Sequence, residues 1–243
     1  MNLLLISNST MAGEEYLSWP QPFILDFVRK NKIKSIAFIP YAGISLSKSD
    51  LNESYDIYTN KVKTVMEQLG VTVTSVHNTG TPADVVENSD CIMVGGGNTF
   101  FLTHMLYNTG LMAVIRNMAI AGKPYIGWSA GSNMACPTLK TTNDMPIVEP
   151  QSFNCLNLIP FQINPHYLDA NPDGHGGETR QQRIEEFLIA NPSVKVVGLR
   201  EGSLLHISDD KIELKGSKRL KLFQFEELPI EFNPGENLDF LLK

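Results

Sequence analysis

Ser129 is the residue whose neighbours most resemble those of a catalytic nucleophile. It is the central residue of Gly127-Trp128-Ser129-Ala130-Gly131, which matches the pattern G-x-S-x-G. Apolar, β-prone residues precede this pentapeptide and a helical pattern follows it, as in a nucleophile elbow between a strand and a helix. In the alternative, Ser129 only caps the helix after a tight turn. The pentapeptide alone does not decide between these two roles.

A serine hydroxyl needs a base that takes its proton before it becomes a good nucleophile. His166 is the favoured base because it follows QINP at the carboxyl end of a predicted strand. That end of an open α/β sheet is the edge where ligands bind. Of the other histidines, His77 fits a loop and His104 a helix. His175 fits a glycine-rich loop and His206 an apolar strand.

The base in turn needs an acid that orients it, and two residues are candidates. Glu201 stands just after a predicted buried strand, so we expect it at the same edge of the sheet as His166. Asp144, in the irregular segment after the elbow, is the rival. With Glu201 the order along the chain is serine, histidine, acid, which differs from the order in α/β-hydrolases and indicates another α/β sheet. In the alternative, Glu201 is a surface carboxylate that pairs with Arg200.

Two backbone amides are candidates for the oxyanion hole that such a serine requires. Ala130 starts the predicted helix, where N–H groups are unpaired and the helix dipole favours a negative charge. Gly97 belongs to the loop GGGN (95–98) between a predicted strand and a helix. This loop lacks the P-loop and dinucleotide-binding patterns, so we expect Gly97 to supply the second donor. A tight turn without chemistry is the alternative.

Strands and helices alternate through most of the chain. Predicted strands cover Asn2–Ser7, Ile33–Pro40, Val71–Val76, Asp90–Val94, Pro124–Gly127, Leu158–Asn164 and Val194–Leu199. Predicted helices cover Gln21–Lys30, Tyr55–Leu69, Thr99–Tyr107, Leu111–Ala121 and Glu178–Ala190. This alternation predicts an α/β fold with a mostly parallel sheet that is covered on both faces. Asn171–Gly177 is predicted as a flexible loop, and the short strands after Ser203 as an antiparallel edge or ribbon.

The bulk properties argue against several classes of protein. The chain has 243 residues, of which 42% are apolar and 19% charged, and this fits one globular domain over 1–243. A net charge of −6 argues against a nucleic-acid binder, and no apolar run is long enough to span a membrane. Three widely spaced cysteines without a CxxC pair argue against a zinc or disulfide framework and favour a reducing, cytoplasmic location.

Several segments resemble the peptidase E family of α-aspartyl dipeptidases: NLLLISNST, VGGGNTF, YIGWSAGSNMACPT, TTNDMPIV, QINPH, GETRQQRI and GLREG. They occur in the family's order from Asn2 to about Gly202, and the remainder resembles the family less clearly. The resemblance implies a flavodoxin-like α/β fold, similar to class I glutamine amidotransferases. We expect a three-layer sandwich with a short C-terminal antiparallel ribbon. The resemblance also implies hydrolysis of dipeptides with an N-terminal aspartate, without a metal or cofactor.

The resemblance also implies roles for individual residues. The family's nucleophile falls on Ser129, its histidine on His166 and its glutamate on Glu201, which agrees with the choice made from strand ends. Its aspartate after the elbow falls on Asp144, so Asp144 stays a candidate for catalysis. The expected reaction passes through an aspartyl-enzyme that water resolves.

An Asp-X dipeptide brings a side-chain carboxylate and a free amine that the site must bind. The planar guanidinium of arginine suits a carboxylate because it can bind both oxygens. Arg180 in GETRQQRI is the first candidate, as the resemblance also suggests, and Arg183 is the second. In the alternative, Arg180 is an exposed helix residue that pairs with Glu178 or Glu186. Asn98 is a candidate acceptor for the amine.

Two other functions, and an inactive relative that kept the elbow, remain open from the sequence. An amidotransferase-like enzyme or amidase on the same sheet usually has a cysteine at the elbow, where this chain has Ser129, and Cys136 lies seven residues further on. A non-enzymatic flavodoxin-like module would bind a phosphate with the loop GGGN. For a dipeptidase we expect a small peptide as the substrate and neither a nucleic acid nor a membrane as a partner. The chain is predicted to be a monomer or a homodimer.

Overall fold

The computed structural model describes residues 1–171, 174 and 176–243. Pro172, Asp173 and His175 lie outside the described residues, together with that part of the loop predicted over Asn171–Gly177. Within the described ranges, no helix has the length and hydrophobicity needed to cross a bilayer. The organisation as one domain stays a prediction.

The larger of two sheets contains seven strands: β1 (Asn2–Ile6), β2 (Ser35–Ile39), β3 (Thr72–Ser75), β4 (Cys91–Val94), β5 (Tyr125–Trp128), β8 (Ser203–Ser208) and β9 (Lys211–Gly216). Their order across the sheet is β3-β2-β4-β5-β1-β8-β9. The first five are parallel, and β8 runs antiparallel to β1 and β9. The predicted α/β class with a mostly parallel sheet is confirmed. The carboxyl ends of the parallel strands share one edge, where ligands bind in such sheets.

The smaller sheet contains four strands: β6 (Gln162–Pro165), β7 (Val196–Leu199), β10 (Leu220–Phe223) and β11 (Ile230–Phe232). Its order is β11-β10-β7-β6, with β6 and β7 parallel and the other pairs antiparallel. The predicted C-terminal ribbon is therefore divided between the two sheets. The strand predicted from Leu158 starts later, because the amides of Leu158 and Ile159 both donate to the carbonyl of Ala135 in a loop.

Seven α-helices lie in the described ranges: α1 (Gln21–Lys30), α2 (Leu51–Gln68), α3 (Pro82–Asn88), α4 (Thr99–Asn108), α5 (Leu111–Ile120), α6 (Ala130–Ala135) and α7 (Arg180–Ala190). The prediction missed α3, a short helix. It also started α2 four residues late, because the Asp50 side chain accepts the amide of Glu53 and begins the helix there. It started α7 two residues early, since Thr179 and Gln182 form a capping box before Arg180.

The central strands of the larger sheet are buried on both faces, whereas the edge strands β3 and β9 alternate between buried and exposed residues. In β1, Leu3 and Leu5 belong to one apolar cluster, whereas Leu4 and Ile6 belong to another on the opposite face. Successive side chains of a strand point to opposite faces, so a continuous apolar run such as NLLLI suits a strand between two helical layers.

Ser7 lies at the carboxyl end of β1 and joins the two sheets. Its Oγ donates to the carbonyl of Leu199, the last residue of β7, at 2.7 Å, and accepts the amide of His166 at 3.0 Å. Its own amide donates to the carbonyl of Ser203 at 3.1 Å. We call the two bonds of the Ser7 hydroxyl the sheet seam. They fix the ends of β6 and β7 against the end of β1.

Candidate active site

Ser129 occupies a sharp turn between β5 and α6. Its φ of +52° is unusual for a residue with a side chain, and backbone strain of this kind clusters at functional sites. A Cβ at Gly127 would overlap the carbonyl of Gly131, and a Cβ at Gly131 would overlap the carbonyl of Val94. The glycines two positions on either side of Ser129 therefore allow the close packing of the turn. The Ser129 hydroxyl makes no capping bond to α6, so simple helix capping does not account for this serine.

His166 and Glu201 extend a hydrogen-bonded chain from the serine. The Oγ of Ser129 lies 3.0 Å from Nε2 of His166, and Nδ1 of His166 lies 2.6 Å from Oε1 of Glu201. His166 directly follows β6 and also has a positive φ, of +52°. Arg200 pairs with Asp169 and Glu231, each at 2.6 Å, instead of with Glu201. The arrangement has the geometry of a nucleophile, a base and an orienting acid.

The amides of Gly97 and Ala130 stand near the serine without an acceptor among the described residues. Ala130 is the first residue of α6, where no intrahelical partner exists for the N–H. Gly97 lines the same cavity as Ser129. Its φ is +135°, and a Cβ there would overlap the carbonyl of Ala42, so only glycine suits the position. Two unpaired N–H groups beside a serine hydroxyl could stabilise an oxyanion.

A cavity of about 630 Å³ opens in front of the serine and the histidine. Gly97 and Asn98 lie on its wall, and Lys61 brings a positive charge to it. The exposed side chains of Leu46 and Ile147 also line it, and they are 38% and 48% exposed. A cavity of this size, lined by both polar and apolar side chains, is suited to a small organic ligand that carries polar groups.

Asp144 lies outside the hydrogen-bonded chain of Ser129, His166 and Glu201. Its Oδ2 accepts the amide and the hydroxyl of Thr99 at 2.7 and 2.5 Å, and the hydroxyl of Thr142 at 3.0 Å. These bonds fix the carboxylate at the start of α4. Asp144 lines the Ser129 cavity, and it also lines a second cavity of about 210 Å³. As a catalytic acid, Asp144 is therefore less well placed than Glu201.

Arg180 lines the second cavity and is not among the residues that line the Ser129 cavity. Partial burial lowers the pKa of Arg180, with a smaller contribution from Arg183 in the same direction, and the charge of Asp144 opposes both. Arg183 is exposed and pairs with Glu178 at 3.7 Å. The buried Oδ1 of Asn164, another lining residue, has no partner among the described residues. The second cavity thus combines a partly buried cation with a free acceptor.

Asn98 is less available for an amine than the sequence suggested. Its Oδ1 accepts the amide of Phe101 at 2.9 Å and so caps α4, while its Nδ2 donates to the carbonyl of Met145 at 2.9 Å. Its side chain lies on the wall of the Ser129 cavity with both groups engaged. This asparagine mainly shapes the loop after Gly97.

The remaining histidines that the structure describes, and Cys136, have other surroundings. His77 lies between Ser75 and Asp56, at 2.5 and 3.1 Å, and His104 lies 2.7 Å from Asn108. His206 faces Glu213 at 3.6 Å. Cys136 is buried, which raises its pKa to about 12, and its sulfur accepts the amide of Ile163 at 3.2 Å. A thiol in this state is a poor nucleophile.

Sequence reasoning missed three residues of the site: Ser7, Tyr58 and Lys61. A polar residue at the end of an apolar strand is a signal that could have identified Ser7. Tyr58 and Lys61 are three residues apart on α2 and so share one face. Nothing in the sequence indicates that this face points to the elbow.

Comparisons with known proteins agree with this geometry. Residues 3–215 match the model of peptidase family S51. Peptidase E of Nostoc sp. is 49% identical over 241 residues, which cover 99% of this chain and 96% of that protein. Peptidase E of Shigella flexneri is 44% identical, with 97% and 99% of the two chains covered. The crystal structure of a peptidase from an acI-B1 Actinobacterium has the same fold, with a TM-score of 0.71, 17% identity and coverage of 98% and 96%.

Proposed function

Since the chain belongs to peptidase family S51 and is a serine-type peptidase, we propose that it is a dipeptidase that cleaves Asp-X. The observation that carries the proposal is the chain of hydrogen bonds from Ser129 through His166 to Glu201. This chain of hydrogen bonds stands beside a cavity that suits a small peptide and that is lined by the positively charged Lys61.

The proposed reaction uses His166 as base and then as acid. Nε2 of His166 takes the proton of Ser129 as Oγ attacks the peptide carbonyl, and the carbonyl oxygen becomes an oxyanion. Glu201 accepts the Nδ1 proton in a hydrogen bond and stabilises the charged imidazole. His166 then protonates the leaving amine as the C–N bond breaks, which leaves an aspartyl ester on the serine. Water, deprotonated by His166, hydrolyses the ester and restores the hydroxyl.

The amides of Gly97 and Ala130 are proposed to stabilise the oxyanion. Removing one such donor typically reduces turnover by about 100- to 1000-fold. Both amides come from backbone that glycine packing and a helix terminus hold in place, so they need no rearrangement in the transition state. This preorganisation is the main electrostatic contribution that the site offers.

Recognition of the N-terminal aspartate is assigned to Arg180 and Asp144. Asp144 lies between the two cavities, so its carboxylate can accept a substrate ammonium on the Ser129 side. The side-chain carboxylate of the substrate would then extend past Asp144 into the second cavity and meet Arg180. A partly buried guanidinium binds a carboxylate more strongly than an exposed one because less water competes.

Recognition of the other end of the dipeptide is assigned to Lys61. A dipeptide places a free carboxylate one residue beyond the scissile bond, and Lys61 is the positively charged side chain among the described residues that line the Ser129 cavity. An ammonium on a flexible stem can bind that carboxylate. Asp144 and Lys61 together would favour dipeptides over longer peptides and over blocked ones.

A panel of Asp-X, Glu-X and Asn-X dipeptides, with N-acetyl-Asp-X and Asp-X amide, tests the proposal by release of the free amino acid. We expect Asp-X to be cleaved fastest and the acetylated peptide to resist. Asp-X amide should show a raised KM. Arg180→Ala should reduce the preference for Asp-X over Asn-X by at least about 100-fold, while Arg183→Ala serves as a control on the same helix. An unchanged preference in Arg180→Ala would remove Arg180 from this role.

A further inference from the structure

We propose that Tyr58 is a positioning residue of the oxyanion hole, because its hydroxyl holds the Gly96–Gly97 peptide with the Gly97 N–H directed at the reacting carbonyl. This inference rests on the proposed function, in which Gly97 is an oxyanion donor. Tyr58 lies on α2, far from the elbow in sequence, and it is 6% exposed.

The hydroxyl of Tyr58 connects the glycine loop to the elbow. It donates to the carbonyl oxygen of Gly96 at 2.8 Å and accepts the indole N–H of Trp128 at 3.0 Å. Trp128 directly precedes Ser129 in the chain. One hydroxyl therefore contacts both segments that supply the proposed oxyanion donors.

Because of the geometry of the peptide bond, the contact between Tyr58 and Gly96 determines the direction of the Gly97 N–H. In a planar trans peptide, the carbonyl of one residue and the N–H of the next point in opposite directions. When Tyr58 holds the carbonyl of Gly96, it therefore directs the N–H of Gly97 away from itself. Gly97 lines the cavity together with Ser129, and its amide has no acceptor among the described residues.

Tight packing leaves the tyrosine ring little freedom. A Cβ at Gly95 would stand 2.6 Å from the hydroxyl of Tyr58, and a Cβ at Gly43 would overlap its ring. A Cβ at Gly96 would stand 2.9 Å from the Cβ of Ser129. Glycine at these positions thus allows the ring, the loop and the elbow to pack as one unit.

The glycine loop itself explains why an external anchor matters. Glycine residues adopt many backbone conformations, so the peptide planes of a loop with three of them in succession are fixed by contacts with the residues around the loop. Burial raises the pKa of Tyr58 to about 12, and the hydroxyl stays a neutral donor at the pH where the enzyme is assayed. A fixed donor at the Gly96 carbonyl restricts the rotation of the Gly96–Gly97 peptide.

The test compares Tyr58→Phe with Tyr55→Phe. Both changes remove one hydroxyl from a buried tyrosine on α2, but the hydroxyl of Tyr55 has no partner among the described residues. We expect Tyr58→Phe to lower kcat for Asp-X by about 10- to 100-fold, a part of the loss of a whole donor, with KM within about twofold. Tyr55→Phe should match the wild type. Circular dichroism checks that both variants fold.

A second readout does not depend on the dipeptide. An alkyl fluorophosphonate forms a P–O bond with Ser129 Oγ while the P–F bond breaks, fluoride leaves and His166 takes the proton, and its phosphoryl oxygen occupies the oxyanion hole. We expect the labelling rate of Tyr58→Phe to fall by a similar factor. A crystal structure of the variant should show the Gly96–Gly97 peptide rotated or in two orientations.

The outcomes separate the two proposals. If the wild type reacts with the fluorophosphonate but cleaves no Asp-X, the substrate is wrong, and the labelling rates still test Tyr58. If Tyr58→Phe keeps the wild-type kcat and labelling rate, or if Tyr55→Phe loses as much, the role of Tyr58 is overturned. A loss confined to KM would also overturn it.

Discussion

The two sheets supply the proposed catalytic residues in different ways. The seven-stranded sheet holds Ser129 in a buried turn, between Trp128 and Ala130, which are each 1% exposed. The four-stranded sheet carries His166 and Glu201 at the ends of β6 and β7, and their side chains are 38% and 44% exposed. Both Ser129 and His166 have a positive φ, but close packing at glycine residues fixes the serine, whereas hydrogen bonds fix the base and the acid.

This difference gives the sheet seam a specific importance. The serine is positioned within its own sheet, but its distance to His166 depends on how the second sheet lies against the first. The hydroxyl of Ser7 contacts the backbone of both Leu199 and His166. We therefore expect the base and the acid to be more sensitive than the serine to changes between the sheets.

The largest effect is expected for Glu201→Gln, which removes the acid from the four-stranded sheet. The amide cannot stabilise a charged imidazole and favours the wrong tautomer, so kcat should fall by about 1000- to 10,000-fold with little change in fold. Steady-state kinetics with Asp-X dipeptides measure this fall in kcat. Asp144→Asn is the variant for comparison, and it should change mainly KM. A greater loss of kcat in Asp144→Asn than in Glu201→Gln would reverse the choice of acid.

The next effect is expected for Ser7→Ala, which breaks the sheet seam. Without these hydrogen bonds we expect His166 to shift by up to about 1 Å, which should lower kcat by about 10- to 100-fold. Ser132→Ala is a matched control, because Ser132 is equally buried but its hydroxyl bonds Ile6 and Gly127 within the larger sheet. Both variants should lose thermal stability. An equal loss of kcat in both would contradict the special role of the seam.

A smaller effect concerns the stability of the two sheets in mild acid. Burial lowers the pKa of His77, just after β3, and of His206, in β8, below the ordinary 6.5. The unfolded chain therefore binds more protons, and stability present above pH 6.5 is lost as the pH falls. A hydrogen bond from Arg200, beside β7, lowers the pKa of Asp169 below 3.8, and that stability is lost only below pH 3.8.

Thermal unfolding between pH 7.5 and 5 tests this order. We expect Tm to fall by about 2–4 °C and the fall to shrink in the double variant His77→Gln, His206→Gln. Asp169→Asn should lower Tm at both pH values alike, because Asp169 stays ionised in this range. If the fall of Tm with pH disappeared in Asp169→Asn and not in the double histidine variant, the four-stranded sheet would be the part that opens first.

The smallest effect is expected from thiol reagents, which distinguish the serine from a cysteine nucleophile. Cys91, Cys136 and Cys155 are all buried, and burial raises the pKa of each. Iodoacetamide should leave the activity of the native protein unchanged, whereas a fluorophosphonate should abolish it. Inactivation by iodoacetamide without unfolding would favour the amidotransferase-like alternative.

Much of the site could be predicted because the carboxyl ends of parallel strands meet at one edge. That rule favoured His166 and Glu201 as the partners of Ser129 and left Asp144 as a rival acid. The division into two sheets could not be predicted, since a sequence does not indicate which strand edges pair. Nor could the sequence show that Arg180, the candidate for the substrate carboxylate, lines a second cavity and not the Ser129 cavity. Sequence reasoning missed Tyr58 because its role depends on a tertiary contact with a loop 38 residues away.

The sheet seam also bears on how the protein is made. Ser7 and Leu199 are 192 residues apart in the chain, and contacts of such long range form slowly because a large loop must close first. A ribosome releases the elbow well before it releases β7. A growing chain can therefore fold the turn around Ser129 while the base and the acid still lack their anchor, so catalytic activity should appear only after β7 has left the ribosome.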